Sequence, residues 1–569
     1  MGCCKCEEFR KPWISTSWED ETENPLLDVI WEDADGNGYC IFHAPSESPE
    51  KQDVEEFNQL VYERIREAKE EGRECILSGV VFPGDIYFSC FGKDNPLPEC
   101  GFASAHFEGW ADFESAHFKE RANFRSAHFE RGAYFQSAHF EGGAYFWNTH
   151  FEGGASFESA HFEGVAYFVS SKFVEESTFR SSRFFYESTF AHASFQKHTI
   201  FDKSIYHEPV TFSEATFSSV SFDSCHFYYN VNMIRCTFND TVNFTSCFCY
   251  FTLELQQAKF HEDSNFSHSC YSEIDCFRVD YKGKADFTES TVGHRANLHR
   301  ASFDNNAWFD NFRCFGKADF QQASFTKYAQ FRHAQFHGEA LFTSTHFTDG
   351  AFFENTEFFS SRSFSGCLAK SPIIMNHVDM GTMPMAQVSV ESFRFVGCEW
   401  PKKAGRRVIH EELAENSETN PRDKEETYRR LKKLAIEEKD FGLASDWHFN
   451  EKYWKLKREK RPITWTRLYY IFSGFGERSF PSLCWLLIFM LWPLLLLSAM
   501  QQGWITDPLA DDGVLGHWLH FLPFIKAAKL NLAAYKDATW LIPLMALSQI
   551  LISVQAALFG LALRNRLRR

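Results

Sequence analysis

Phenylalanine recurs in this chain at a spacing that few folds can use. From Phe102 onward it stands at 107, 113, 118, 124, 129, 135, 140, 146, 151, 157, 162, 168 and 173, so the steps alternate between 5 and 6 residues. The unit is 11 residues, A-H-F-E-G-G-A-Y-F-x-S, read from Ala138 to Asn148 with Asn in the last place and from Thr149 to Ser159 with Thr in the first. An amphipathic helix repeats its apolar positions about every 3.6 residues and a half-buried strand every 2 or so. Neither period fits, whereas short extended sides separated by corners do. If each side turns one Phe to a common axis, four such steps make a coil of 22 residues. Each ring then lies over its counterpart one coil away, at roughly the 4.8 Å spacing of paired strands.

Ala stands two residues before most of these Phe, as in Ala105-His106-Phe107, Ala111-Asp112-Phe113 and Ala116-His117-Phe118. On these motifs the array resembles the pentapeptide-repeat family. The resemblance implies a right-handed quadrilateral β-helix with a large apolar residue at the centre of each side and a small one two positions earlier. This chain departs in using Phe where Leu is common and in adding one residue at every second step. The expected class is therefore mainly β: a pentapeptide-repeat solenoid over residues 76–400, followed by an α-helical hairpin and two transmembrane helices. Phe107, Phe113, Phe118, Phe124, Phe129, Phe135, Phe140 and Phe146 are the expected core ladder. The register continues to Phe364, with slips near 218–228 and 248–281 expected as irregular loops or bulges.

A repeat array also escapes the limit of about 250 to 300 residues on a single core, which matters in a chain of 569. The net charge of -18 opposes nucleic-acid binding, which needs a basic footprint. The opening residues MGCCKCEEFRKPW hold no apolar leader, so the 17 Cys are expected as reduced thiols in a cytoplasm. Met1-Gly2 invites N-myristoylation, but position 6 is Cys rather than Ser or Thr.

Residues 1–50 are expected to form a cap. Cys3, Cys6, Cys40 and His43 offer three thiolates and an imidazole from two segments, a set suited to tetrahedral zinc, with Cys4 as the substitute for Cys3 and unliganded cysteines as the alternative. The Tyr39-Cys40-Ile41-Phe42-His43 knuckle is similar to the small Cys/His caps that precede pentapeptide arrays, which implies a structural zinc. Residues 51–75 are expected as an amphipathic helix covering the first coil, with Phe57, Leu60, Val61, Ile65 and Ala68 on its apolar face and Gly72 at its end. His106, His117, His128, His139, His150 and His161 recur at 11 beside inward Phe. They are expected outward, as solvated positions, as rows whose protonation is self-repelling, or as metal ligands.

Beyond the array, residues 401–424 read as a polar linker and 425–478 as a helical hairpin with a basic juxtamembrane segment. Tyr428, Leu431, Leu434 and Ala435 form one stripe; Phe441, Leu443, Ala444, Trp447, Phe449 and Tyr453 form the other. Residues 479–569 hold apolar runs from Phe480 to Met500 and from Trp540 to Leu563, each long enough to cross a bilayer. Basic residues flank both, so the solenoid and the C-terminus are expected on the cytoplasmic side of a cell inner membrane, the chain being multi-pass. Leu515 to Leu532 is expected as a re-entrant or interfacial segment.

This order of elements resembles the two-transmembrane pore-loop channels, though a T-V-G-Y-G filter is absent. Gln549, Ser553, Ala556 and Gly560 form a small, polar face suited to helix packing or to lining a pore, and Lys526 and Lys529 would ring such a pore. No phosphate loop, nucleophile elbow or paired carboxylates stand out, so an enzyme is not expected. Two readings remain. One is a homo-oligomeric ion channel in the lipid bilayer, a tetramer if a pore exists. The other is a membrane-tethered scaffold that binds a protein partner through its solenoid. DNA mimicry, known in the family, is disfavoured by the membrane segments.

Overall fold

The computed structural model describes residues 3–8, 27–413, 419–459, 464–504, 514–523 and 540–567. They fall into two units, Met1–Thr382 with Ser392–Cys398, and Met383–Glu391 with Glu399–Arg569. Each is described by itself.

The first unit is a parallel β-solenoid. Two-residue strands such as His106–Phe107, Ala111–Asp112, His117–Phe118 and Ala122–Asn123 follow one another around four sides of a coil. One side stacks 15 strands. The coil length is read from the pairing: Ala122 lies against Ala144, His128 against His150, Ala133 against Ala155 and His139 against His161, each 22 residues on. The Phe rings of each side stack nearly parallel, with centroids 4.7 Å apart for Phe113 and Phe135, 4.8 Å for Phe124 and Phe146, 4.5 Å for Phe107 and Phe129, and 4.7 Å for Phe118 and Phe140. Between sides the rings meet edge to face, as for Phe124 and Phe135 at 86°. Both arrangements suit the ring quadrupole, and all eight ladder residues named above are buried.

The corners explain why 5 alternates with 6. In most 5-residue steps the amide of the small residue donates back to the carbonyl of the preceding inward residue, as Ala105 to Phe102 and Ala138 to Phe135. The residue just before the small one is left-handed, with φ of 55° at Ser104, 57° at Ser115 and 54° at Ser137. This is a tight turn whose third residue needs positive φ. Left-handed backbone is costly for L-residues, least so for small polar ones. Ser137→Val is therefore expected to cost about 1 to 2 kcal/mol while Ser137→Gly is tolerated, a difference that chemical denaturation of the array reads directly. The 6-residue steps turn by an open bend instead. At some of these the backbone passes so close to the coil before it that only glycine fits: a Cβ on Gly164 would lie 2.3 Å from the Gly142 carbonyl oxygen.

The register slips are mostly not loops. Near 218–228 one residue is deleted from a coil, so that Phe201 stacks on Phe222 and Val210 pairs with Val231, each 21 on, and the ladder continues. Around 248–281 one corner straightens into the long strands Phe248–Glu254 and Cys270–Asp275, followed by Thr291–Asn297, with bulges between Cys249 and Thr252 and between Tyr271 and Glu273. Inward positions there pass to Cys249, Tyr271, Leu255 and Cys276.

Cys225, Cys247 and Cys367 occupy the small position of the turn, where each Sγ–H donates to the carbonyl of Phe201, Phe222 and Phe342. Ser182 and Thr149 make the same bond. Burial pushes the Cys236 and Cys367 thiols up to about 12, so these are packing groups rather than nucleophiles.

Helix α1, Cys4–Glu8, precedes the array, and α2, Val54–Glu71, covers its first coil. Asp53 caps α2 by accepting from Glu56 N–H, and Gly72 ends it at φ 67°. Its buried face holds Phe57, Val61, Ile65 and Ala68; Leu60, expected there, is exposed, and Asn58 takes the buried place and donates to Asp85 O. Lys51 is buried with its ammonium on the carbonyls of Phe42 and Val81, 3.0 and 2.6 Å away. At the far end Arg362 replaces the inward Ala of its column and lies over the Phe358 ring.

In the second unit, the described part of the stretch expected as a linker, 401–413 and 419–424, is structured. Lys402–Lys403 pairs with Arg406–Arg407, His410–Glu412 forms a helical turn, and Val408 and Ile409 are buried. Polar composition hid this because the stretch packs through buried carboxylates: Glu412 accepts from the Tyr428 hydroxyl at 2.6 Å and from Trp454 Nε1 at 2.7 Å, and pairs with Arg406. Helix α3, Pro421–Glu437, begins inside that stretch and folds back on α4, Phe441–Arg458, around Tyr428, Leu431 and Trp447. Phe441, expected on the stripe, is the first residue of α4, after the Asp440 cap, and is exposed. A short α5, Trp465–Ser473, leads to α6, Ser479–Trp504, α7, Val514–Leu519, and α8, Leu541–Leu567.

Candidate metal centre and membrane unit

An antiparallel pair, Trp31–Glu32 with Gly38–Tyr39, delivers the chain into a tight turn at Cys40. There the amides of His43 and Ala44 both donate to the Cys40 carbonyl, which sets Cys40 and His43 on one side. Helix α1 brings Cys3 and Cys6 to the same point. His43 Nδ1 lies 3.3 Å from Cys3 Sγ, 3.5 Å from Cys6 Sγ and 3.2 Å from Cys40 Sγ, and Cys6 Sγ lies 3.8 Å from Cys40 Sγ.

Tetrahedral zinc with bonds of about 2.3 Å to sulfur and 2.0–2.1 Å to nitrogen requires S···S of about 3.8 Å and S···N of about 3.5 Å. The three S···N distances and the Cys6–Cys40 distance meet that requirement, and all four donor atoms lie within 4.8 Å of one another. The far nitrogen, His43 Nε2, is 3.0 Å from Ser78 O, the second-layer hydrogen bond that fixes which imidazole nitrogen faces a metal.

Hydrogen bonds from Cys40 and Cys6 hold the Cys3 thiol far below the ordinary range, whereas hydrogen bonds with Cys3 and Cys40, and burial, push Cys6 far above it. One thiol of the cluster is thus favoured as thiolate, the form in which a cysteine ligates a metal. The residues fit zinc, which would tie the N-terminal segment to the cap by a closed four-ligand site. Cys4 stands outside this set, half-buried.

The histidines form two rows on two sides of the coil. His106, His128 and His150 stack at 4.8 and 5.8 Å, and His117, His139 and His161 at 4.7 and 5.8 Å. A Glu from the next coil meets several of them: Glu130 lies 2.8 Å from His106, Glu141 3.0 Å from His117 and Glu163 3.3 Å from His139. His117 differs from the expectation in being buried. Burial, with the neighbouring cations added to it, depresses His128 and His161.

In the second unit, Ser479–Ala499 and Leu541–Leu567 are long and apolar enough to cross a membrane. Pro493 lies inside α6, where it removes a backbone donor. In the preceding turn Met490 O accepts from Trp518 Nε1 of the short segment at 2.6 Å. Phe521 packs with Leu497, Leu541 and Met545, so this segment lies against both long helices.

Of the residues expected on a shared face of α8, Gln549 is turned inward and donates to His520 O at 2.7 Å. Ser553 is exposed and bonds back to Gln549 O, Ala556 is half-buried, and Gly560 faces open space. Lys526 and Lys529 lie outside the described residues.

The sequence reading missed Gln555. Its amide nitrogen donates to Phe472 O and Ser482 O, both at 2.8 Å, tying α5, α6 and α8 together. An amide within an apolar run is the signal that marks it in the sequence. Gln555→Leu is expected to lower the stability of the detergent-solubilised helical unit by about 0.6 to 1.7 kcal/mol, read as an earlier loss of helicity on heating while the solenoid signal stays in place.

The family model described as Pentapeptide repeats (9 copies) matches residues 113–161 and 207–247. No curated protein matches the chain.

Proposed function

We propose, from the premise that the array of this chain is a pentapeptide-repeat solenoid, that the protein is a membrane-tethered scaffold whose solenoid holds a protein partner at the cytoplasmic face of a cell inner membrane. One observation carries the reading. Along a single edge, just after the side that carries Phe118, Phe140, Phe162 and Phe184, the rings of Phe185, His207, Tyr228 and Tyr250 stack at 4.8, 5.1 and 4.9 Å. Past Ser272 and Gly293, Phe315, His337 and Phe359 resume the same column at 4.6 and 4.5 Å. Tyr229 and Phe251 stack beside it. These rings do nothing for the core: Tyr250, Phe251, Phe315 and Phe359 are each more than half exposed. A run of stacked, exposed aromatic rings is characteristic of interaction sites, and rigid rings make good anchors.

The tether is the helical unit, with Arg564 and Arg566 at the end of α8 and the basic segment before α5 marking the cytoplasmic side. Both elements are tested in cells. A photo-crosslinking residue at Tyr250 or Phe359 is expected to give one discrete adduct that the same residue at Glu158 does not. No adduct, or equal adducts at all three positions, contradicts the scaffold. The exposed Cys90 and Cys270 are expected to react with a membrane-impermeant thiol reagent only after lysis.

A second reading, a pore built by several copies, is favoured by the small exposed face of α8 at Ser553 and Gly560, which admits close helix approach. Currents across planar bilayers from the purified chain would support it, and their absence at every voltage would remove it.

A further inference from the structure

We infer that the solenoid carries a second kind of metal site, a His-His-Glu triad for a divalent transition cation, formed across two coils by His117, His139 and Glu141. The argument starts from register. Parallel pairing in a 22-residue coil puts His139 directly over His117, and the strand period of two puts Glu141 on the same outward face as His139. The imidazole centroids are 4.7 Å apart, and Glu141 Oε1 is 3.0 Å from His117 Nε2. One donor atom from each of the three residues lies within 4.8 Å of the others.

The second observation is what these nitrogens lack. His117 is only 6 % exposed, and its Nε2, beside Glu141, and that of His139, 3.3 Å from Glu163, are both buried without a well-directed hydrogen bond. A buried imidazole nitrogen aimed at a carboxylate and left without a directed bond is costly. A bound cation removes the cost and neutralises Glu141. Two imidazoles and a carboxylate suit zinc, cobalt, nickel or copper rather than calcium or magnesium, which prefer oxygen ligands. The set leaves one position open, unlike the closed thiolate site. The same arrangement recurs on another side as His106-His128-Glu130 and His128-His150-Glu152, which share His128.

The test is a cobalt(II) titration of the full chain in detergent, followed by absorption. Thiolate ligation adds an intense sulfur charge-transfer band, and the triad adds only ligand-field bands. The expected result is further cobalt bound after the thiolate band has saturated, with one equivalent of it lost in His139→Gln. Glu141→Gln, on the exposed rim, guards against misfolding and is expected to weaken the same equivalent. If binding ends with the thiolate band, or if both variants bind as much cobalt as the parent with unchanged circular dichroism, the triad is not a metal site.

Discussion

Phe135→Ala is expected to destabilise the solenoid by about 3 to 5 kcal/mol, the usual cost of emptying a buried ring's place, and yet to leave distant coils folded. Phe135 stacks on Phe113 and Phe157 at 4.7 and 4.8 Å and meets Phe124 and Phe146 edge-on. Its removal therefore breaks contacts with the coils on either side and with its own. Its neighbours cannot close the gap, because their backbone is pinned by ladder hydrogen bonds at a fixed spacing. Stability in such an array is a sum of coil and nearest-neighbour terms. The loss should therefore be local. Hydrogen exchange is expected to accelerate in coils near residue 135 and to remain slow near Phe331 and Phe342. Uniform acceleration along the whole array would show instead a single cooperative core.

The second large effect concerns the cap. Removing zinc with a chelator, or replacing Cys40 by Ser, is expected to release residues 3–8 and 27–44 from the first coil, since structural zinc commonly contributes about 10 to 16 kcal/mol of apparent binding energy to small domains that depend on it. Hydrogen exchange should show protection lost there and retained from residue 54 onward, where α2 has its own apolar contacts through Phe57 and Phe82. Cobalt substitution is expected to give a thiolate charge-transfer band equivalent to one metal per chain, and that band is lost in the Cys40→Ser variant. Equal protection with and without metal would make the four donors a packing cluster only.

Much of this was legible because the repeat speaks in one residue type. The spacing of 5 and 6 fixed the coil length, and the small residue before each Phe marked the side. The corner was not legible. That Ser104, Ser115 and Ser137 take positive φ follows from the turn that closes the shorter step, and nothing in a serine announces it. The apparent slip near 218–228 misled for a related reason, since a deleted corner residue and a bulge both break a sequence period, although only the bulge breaks the ladder. The meeting of Cys3, Cys6, Cys40 and His43 was legible from their donor chemistry and from the likeness of the knuckle to Cys/His caps.

The stretch 401–413 was missed because it buries Glu411 and Glu412 against Arg406, Lys424, Tyr428 and Trp454, and a charge-rich sequence does not declare which charges are paired inside. The aromatic edge was missed because Phe185, Tyr228, Tyr250 and Phe359 sit one residue past the inward position. Their column exists only once the coils are stacked.

Spin labels placed at Glu158 and at successive equivalent positions along the array test the central claim most directly. Glu158 and Arg332 lie at the same corner and, by the chain of amide bonds from coil to coil, eight coils apart. A parallel solenoid with strands about 4.8 Å apart puts them roughly 38 Å from each other, with intermediate labels falling on a straight line in steps of one strand spacing. Distances that fail to grow in those steps, or that scatter with sequence separation, would contradict the Phe-cored coil on which the reading of this protein rests.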